Sequence, residues 1–438
     1  MMTSIVGQSV PKTDGLGQVT GSALYIDDIK YPGMHYIKML HSPVHRGLIH
    51  KLDVSAAENV PGVLGTVTAR DVPGQDGYGF FMDQQVFASE FVCYRGERIA
   101  GVVAVNEDAA LEGVSKIKVD IEEQEPVFDM FEAMKPESPL VRPNLETNLW
   151  DKFGDGTQTV YRLRVGDVEA GFAEADEIVE TKIYEATNDH AQLEPHISIA
   201  FLDDAGRLAI HTDSQAFYLH LVLCLCPVLG LPTSKIRYIG GRIGGGFGGR
   251  NDVHTDHITG IAALKFKVPV KWRLTRREDL ATTMKRGPYI FKVKDGVKKD
   301  GRIVARHVKC WHDCGAWAGM GPYAIGKIAQ FGLGPYSVPN LWYDGWSIFT
   351  NKPPATSMRG FATTNGNSAI ELAMDRAAEA IGVSPWEIRL VNAWRMGERG
   401  GTQYEVPSQG TVETLLKAAE LAGVDLPDHL KAMTSERR

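Results

Sequence analysis

Short bursts of alternating apolar and polar positions dominate the first 125 residues. Residues 24–29 and 34–40 read as strands flanking the turn Tyr31-Pro32-Gly33. A helix starts at residues 53–57 and is stopped by Asn59-Val60-Pro61-Gly62, with a strand over 63–68. The apolar run 97–105, the helical stretch 106–113 and the alternating stretch 116–122 predict a strand–helix–strand unit among hairpin-like segments. Residues 126–165 carry four prolines and few long apolar runs, the pattern of a linker. From 166 onwards, 178–185, 196–203 and 207–212 read as strands of one antiparallel sheet, followed by an apolar helix over 217–229 and a strand over 235–239. A helix over 251–265 and a strand over 268–275 come next. Residues 289–297 and 302–311 form a hairpin turned by Asp300-Gly301. The chain closes with helices over 368–380, from the capping box Ser384-Pro385-Trp386-Glu387, and over 411–422 up to Gly423. The pattern is α+β, divided as a domain over 1–125, a linker over 126–165 and a second domain over 166–438.

Composition narrows the class. The chain has 438 residues, 43% hydrophobic and 23% charged, which is ordinary globular usage and argues against disorder. The net charge of −7 is spread along the chain, which disfavours nucleic acid and anionic membrane surfaces as partners. The apolar run over 216–231 contains His220, Pro227 and Gly230 and is too short and too broken to span a bilayer. Residues 1–15 hold no apolar stretch suited to export, so a cytoplasmic location is expected. Cys93, Cys224, Cys226, Cys310 and Cys314 are too scattered for a disulfide framework or a complete zinc or iron–sulfur set, and Cys224 and Cys226, in the apolar helix, are expected to be inert buried thiols.

The one excess is glycine. Seven of the eleven residues from Gly240 to Arg250 lack a Cβ, so backbone N–H groups there can approach a ligand closely. A strand before the run and a helix after it would aim those donors at an anion or an oxo group. Gly244-x-Gly246-x-x-Gly249 also matches the spacing of a dinucleotide fingerprint, the basis of a rival reading as a nicotinamide-dependent dehydrogenase. Against that rival, no Asp or Glu occurs from 258 through 277, where a ribose-binding acid belongs. Asp252-x-His254-x-Asp256-His257 reads as a helix cap rather than a metal site, Glu194-Pro195-His196 as structural, and Arg273, Arg276, Arg277, Lys285 and Arg286 as a solvated or subunit-facing basic patch.

Three ordered motifs carry a resemblance. Asp213-Ser214-Gln215, Gly244-Gly245-Gly246-Phe247-Gly248-Gly249-Arg250 and Met358-Arg359-Gly360-Phe361 resemble the molybdopterin-binding subunit of the xanthine dehydrogenase/aldehyde oxidase family. Val19-Thr20-Gly21, Tyr31-Pro32-Gly33-Met34, Ser42-Pro43-Val44-His45, Val60-Pro61-Gly62-Val63 and Tyr94-Arg95-Gly96-Glu97-Arg98-Ile99-Ala100 resemble that family's small N-terminal domain. The resemblance implies a hammerhead-like α/β domain followed by a mixed-sheet molybdopterin-binding domain. It covers only the first half of the family's usual catalytic unit, as in the split architecture of bacterial nicotinate dehydrogenases.

The family hydroxylates an electron-poor carbon with oxygen taken from water, on a molybdenum bearing a sulfido or selenido ligand. The resemblance therefore implies molybdopterin cytosine dinucleotide here, with the base glutamate on a second molybdopterin-binding subunit. Electrons would leave through [2Fe–2S] and FAD subunits. Gln215 corresponds to the glutamine that hydrogen-bonds an oxo ligand, and Gly246, Phe247 and Gly248 to the loop facing molybdenum and pterin. Arg359 with Gly360 corresponds to the arginine segment beside the reacting centre, and Phe361 to a pocket wall. Purine-oxidising members place a glutamate where this chain has Asn251, and their second arginine corresponds to the segment around Trp317, which has none, so the resemblance implies Asn251 and Trp317 at the substrate instead. That favours a nicotinate-like N-heteroaromatic or an aldehyde as substrate over xanthine. A non-catalytic assembly subunit of the same fold is a further alternative.

Overall fold

The computed structural model describes residues 5–436; the first four residues of the N-terminal stretch and the last two of the chain lie outside them. The N-terminal third supplies β1 (His35–His41), β2 (Gly47–Asp53), β3 (Val63–Val67), β4 (Phe91–Val92), β5 (Arg98–Ala104) and β6 (Lys118–Glu123). The helix Glu107–Lys116 joins β5 to β6, and the Asn106 side chain caps it by accepting the N–H of Ala109. The remainder supplies β7 (Tyr161–Val165), β8 (Glu177–Glu185), β9 (Ile197–Leu202), β10 (Leu208–Thr212), β11 (Ile236–Gly240), β12 (Val270–Arg273), β13 (Tyr289–Val297), β14 (Ile303–Gly315) and β15 (Asn340–Phe349).

Three sheets result: seven strands in the order β11-β10-β9-β12-β1-β5-β3, five in the order β7-β15-β14-β13-β8, and three in the order β4-β2-β6. The largest sheet crosses the expected domain boundary, because β1 runs parallel to β12 through His35↔Val270 and Tyr36↔Lys271. Ile37 and Val103 from the N-terminal third thus share a core with Ala200, Ile210, Ile258 and Val270. The five-stranded sheet buries Phe291, Val308 and Tyr343 together with Ala373 and Met374 of the helix Thr363–Ile381.

Several expectations change. Residues 24–29 form a single 3₁₀ turn, Ile26–Asp28, instead of a strand. Asp28 accepts the Tyr25 N–H at 2.9 Å, and Asp27 is held by Lys271 at 2.6 Å and Arg273 at 2.7 Å, so local capping displaces ladder pairing. The helix expected from 53 shrinks to the turn Ala57–Asn59. The three strands expected in one antiparallel sheet are divided, β8 lying at the edge of the five-stranded sheet while β9 and β10 pair in the seven-stranded one. Residues 126–165 are packed rather than free: Val127, Met130, Trp150 and Phe153 are buried, and the stretch ends in β7, antiparallel to β15. The apolar helix is present as Phe217–His220 and Cys226–Leu229 with a widened π turn, Leu221–Leu225, between them. That wider turn precedes Pro227, which has no N–H to continue the ladder. The hairpin, its Gly301 turn at φ +87°, and the Ser384 cap on the Glu387 N–H are as expected. The five cysteines are free, and four of them are buried. Among the described residues no helix is long and apolar enough to cross a membrane.

Candidate functional site

Parallel pairing of β10 with β11 decides where the first two motifs meet. Thr212 lies opposite Gly240, so Asp213-Ser214-Gln215 and the glycine run leave the same end of adjacent strands, beyond their carboxyl ends. The third motif joins by three bonds. Arg359 donates its backbone N–H to Phe247 O at 2.8 Å, Ser357 Oγ donates to Gly248 O at 3.1 Å, and Asn251 Nδ2 donates to Ser357 Oγ at 2.9 Å.

Gln215 lies against the loop. Its backbone N–H donates to Arg250 O at 2.9 Å and its Oε1 accepts the Gly248 N–H at 3.0 Å, which leaves Nε2 to donate outward. A Cβ on Gly246 would stand 2.6 Å from Gln215 Oε1, so the amide occupies the space a side chain there would need. Gly248 has φ +104°, and a Cβ there would meet Ser357 O at 2.8 Å. Gln215, Phe247 and Arg359 are exposed, and the Arg359 guanidinium has no hydrogen bond or ion pair among the described residues. Three non-glycine residues at this site, Phe247, Phe361 and Ala362, have φ of +51°, +35° and +66°. Such backbone is costly for residues with a Cβ and persists where surrounding structure imposes it, often at ligand sites.

The loop rests on a platform of which the sequence singles out only Glu194-Pro195-His196, as structural. His190, Gln192, Glu194 and His196 turn inward from an irregular segment, with Ala191 at φ +46°, while Ala191 and Leu193 between them are exposed. Glu194 Oε2 accepts the Gly244 N–H at 2.8 Å, Gln192 lies under Gly245, and the His190 ring lies under Gly249 while its Nε2 donates to Ser357 O at 2.7 Å. His196 packs on His254 at 4.1 Å between centroids with the rings tilted by 45°, and burial holds both rings well below the usual imidazole range, hence neutral. Burial pushes the Asp252 carboxyl up to about 7, with Thr356 Oγ1 as its donor, and Asp279 up to about 6 despite Arg276 at 2.8 Å. Glu194 is also raised by burial, against the opposing pull of the Gly244 N–H and Arg250.

Other candidates are placed differently. Trp317 is a core residue: it is 1% exposed, its indole N–H donates to Glu97 at 2.7 Å, and the Arg142 guanidinium covers its ring at 4.3 Å. The helix expected to open at 251 begins only at Asp256, so a 3₁₀ turn, Gly249–Asn251, follows the glycine run and no helix N-terminus meets it. That removes the geometry a dinucleotide fingerprint requires. The basic patch is largely paired: Arg273 with Asp27, Arg276 with Asp279, and Lys285 with Asp189 at 2.5 Å. His254 and His257 do not share a helix face, since His254 precedes the helix. Among the described residues no group of His, Cys, Asp and Glu is arranged to hold a metal ion directly.

Residues 153–393 match the molybdopterin cofactor-binding domain, and residues 20–125 match the a/b hammerhead domain of aldehyde oxidase and xanthine dehydrogenase. The chain belongs to the xanthine dehydrogenase/aldehyde oxidase family. It is 32% identical to the nicotinate dehydrogenase large molybdopterin subunit of Eubacterium barkeri, over 95% of this chain and 96% of that one. It is 31% identical to a probable xanthine dehydrogenase subunit of Bacillus subtilis, over 92% of this chain and 53% of that one. The fold is that of aldehyde oxidoreductase from Desulfovibrio gigas, with a TM-score of 0.89, 27% identity, and coverage of 97% of this chain and 47% of that one. The chain therefore spans nearly all of the first relative and about half of the other two. These relatives are molybdenum-containing oxidoreductases, and the family's cofactor is a molybdopterin.

The residues present suit such a group. The outward amide of Gln215, the unclaimed Arg359 guanidinium and the loop backbone are donors, which matches the oxo ligands and phosphates of a molybdopterin. Gly246 provides the close approach, since the space beside it is held by the Gln215 amide.

Proposed function

We propose that this chain is the cofactor-facing part of a molybdenum hydroxylase, completed by a second molybdopterin-binding subunit that brings the base glutamate. The cofactor is molybdopterin cytosine dinucleotide, and electrons pass to [2Fe–2S] and FAD subunits. The observation that carries this reading is the convergence of Gln215, Gly248, Phe247 and Arg359 in one bonded cluster, with the Gln215 amide and the Arg359 guanidinium left facing outward.

When bound, molybdenum supplies Lewis acidity and a sink for two electrons, so that water can provide the oxygen added to an electron-poor carbon. The chain's residues bind and orient around it. Gln215, its carbonyl end fixed by the Gly248 N–H, would hold an oxo ligand through Nε2. Gly246 and Phe247 would present backbone to the pterin, while Gly248, its N–H given to Gln215 and its carbonyl taken by Ser357, holds the loop in place and Gly360 holds the turn that carries Arg359. The planar guanidinium of Arg359 orients a substrate carboxylate, ring nitrogen or carbonyl, and Phe361, whose ring packs on Tyr323 at 5.6 Å, forms an apolar wall.

Asn251 sets the substrate class. Where purine-oxidising members carry a glutamate, this chain has an amide whose Nδ2 is already given to Ser357. An N-heteroaromatic acid or an aldehyde suits that pocket better than a purine. The test is turnover of nicotinate, benzaldehyde and xanthine by the native complex with an artificial electron acceptor. Activity on either of the first two and none on xanthine is expected; xanthine as the preferred substrate would overturn the assignment.

A further inference from the structure

The structure assigns Arg250, Glu194 and Asp213 a positioning role: together they form a buried triad that sets the glycine loop and Gln215 in register with each other. The inference rests on the loop's reading as a molybdopterin site and adds the device that aims it.

Arg250 closes the glycine run, yet its side chain is fully buried. Nη2 donates to Glu194 O at 2.5 Å and lies 3.4 Å from Glu194 Oε2, while Nη1 pairs with Asp213 Oδ2. Each partner in turn holds a different segment. Glu194 Oε2 accepts the N–H of Gly244, at the front of the loop, at 2.8 Å. Asp213 Oδ2 accepts the Ile197 N–H at 3.0 Å and lies two residues before Gln215. Arg250 itself accepts the Gln215 N–H on its carbonyl at 2.9 Å. One guanidinium therefore ties the front of the loop, its end and the Gln215 segment.

Two features favour positioning over mere stabilisation. A buried ion pair contributes little net stability compared with apolar packing, because desolvation offsets the attraction, whereas the directional bond from Nη2 to Glu194 O, together with the Glu194 bond to Gly244, fixes geometry. The site also leaves no slack: a Cβ on Gly244 would stand 2.5 Å from Glu194 Cβ, so the loop sits directly on the residue that holds its N–H. A lysine at 250 keeps the charge but lacks the planar fork that reaches Glu194 and Asp213 at once.

The test uses the native complex purified through this chain, carrying Arg250→Lys, Glu194→Ala or Glu194→Gln. Amide hydrogen exchange over residues 243–249, molybdenum per chain and exchange in β13 and β14 are measured together. R250K and E194A are expected to speed loop exchange about tenfold or more and to lower bound molybdenum to under about half, with β13 and β14 unchanged. E194Q keeps an oxygen for the Gly244 N–H and is expected to stay within about twofold of wild type. Unchanged loop exchange in R250K and E194A, or equal acceleration in β13 and β14, would overturn the positioning role. Should R250K fail to fold, the contrast between E194A and E194Q decides. Absence of molybdenum from the wild-type complex counts against the loop's reading as a molybdopterin site, while the exchange result still judges the triad.

Discussion

Gln215 and Gly246 work as a pair, because the amide fills the space that any side chain at 246 would take. Gly246→Ala places a methyl 2.6 Å from Gln215 Oε1, so the amide must turn away from Gly248. Unfolding in urea should show a loss of about 1–3 kcal/mol, and turnover should fall with it. Gln215→Ala and Arg359→Ala make the opposite separation. Both side chains are exposed, so stability should change by no more than about 0.5 kcal/mol. Turnover of the native complex, by contrast, should drop about 10²–10³-fold for each, as when a donor to a developing charge is removed. Turnover near wild type in both variants would remove them from the site. These residues are legible in the sequence because they sit in short contiguous motifs. Trp317 is not, because nothing in Gly315-Ala316-Trp317-Ala318 reveals that Glu97, more than two hundred positions earlier, claims its indole N–H.

At the level of elements, the parallel pairing of β10 and β11 converts two separated motifs into one site, and most strands and helices that carry it follow from local periodicity. The supporting platform does not. His190, Gln192, Glu194 and His196 alternate in sequence like any half-buried strand, and the partners of the first three are glycines some fifty to sixty residues on, which leave no side-chain signal. The late start of the helix Asp256–Phe266 has a similar origin, since Asp252 turns inward to Thr356 instead of joining it. That inward turn has a pH consequence. Burial raises the Asp252 carboxyl to about 7 in the folded chain. An unfolded aspartate titrates near ~3.9, so between these values the folded state holds a proton the unfolded state has lost. The stability this proton contributes is complete below about pH 4 and is lost as pH rises through about 7. Thermal unfolding of wild type and Asp252→Asn at pH 5 and pH 8 should show wild type losing stability relative to the variant at the higher pH. Parallel curves would mean the carboxyl is not perturbed.

On the scale of the whole molecule, segments that build the site also carry exposed apolar side chains. Leu193 is 91% exposed, Tyr218 74% and Phe247 46%, and each belongs to or adjoins a segment that builds the site. Under the proposed function, these side chains would form a rim that a second molybdopterin-binding subunit covers. Expressed alone, the chain should self-associate, and co-expression with that subunit should give a monodisperse complex by size exclusion with light scattering; a soluble monomer alone would argue that the rim needs no cover. The change in periodicity near 166 suggests two regions, but the pairing of β1 with β12 that joins them in one sheet is not legible, because two register positions of parallel ladder leave no trace in either strand's own pattern. The central claim, that Gln215, the glycine loop and Arg359 hold a molybdopterin, is tested most directly by elemental mass spectrometry of the native complex purified through this chain. About one molybdenum per chain is the result expected for a resident cofactor. An intact complex free of molybdenum would contradict the account.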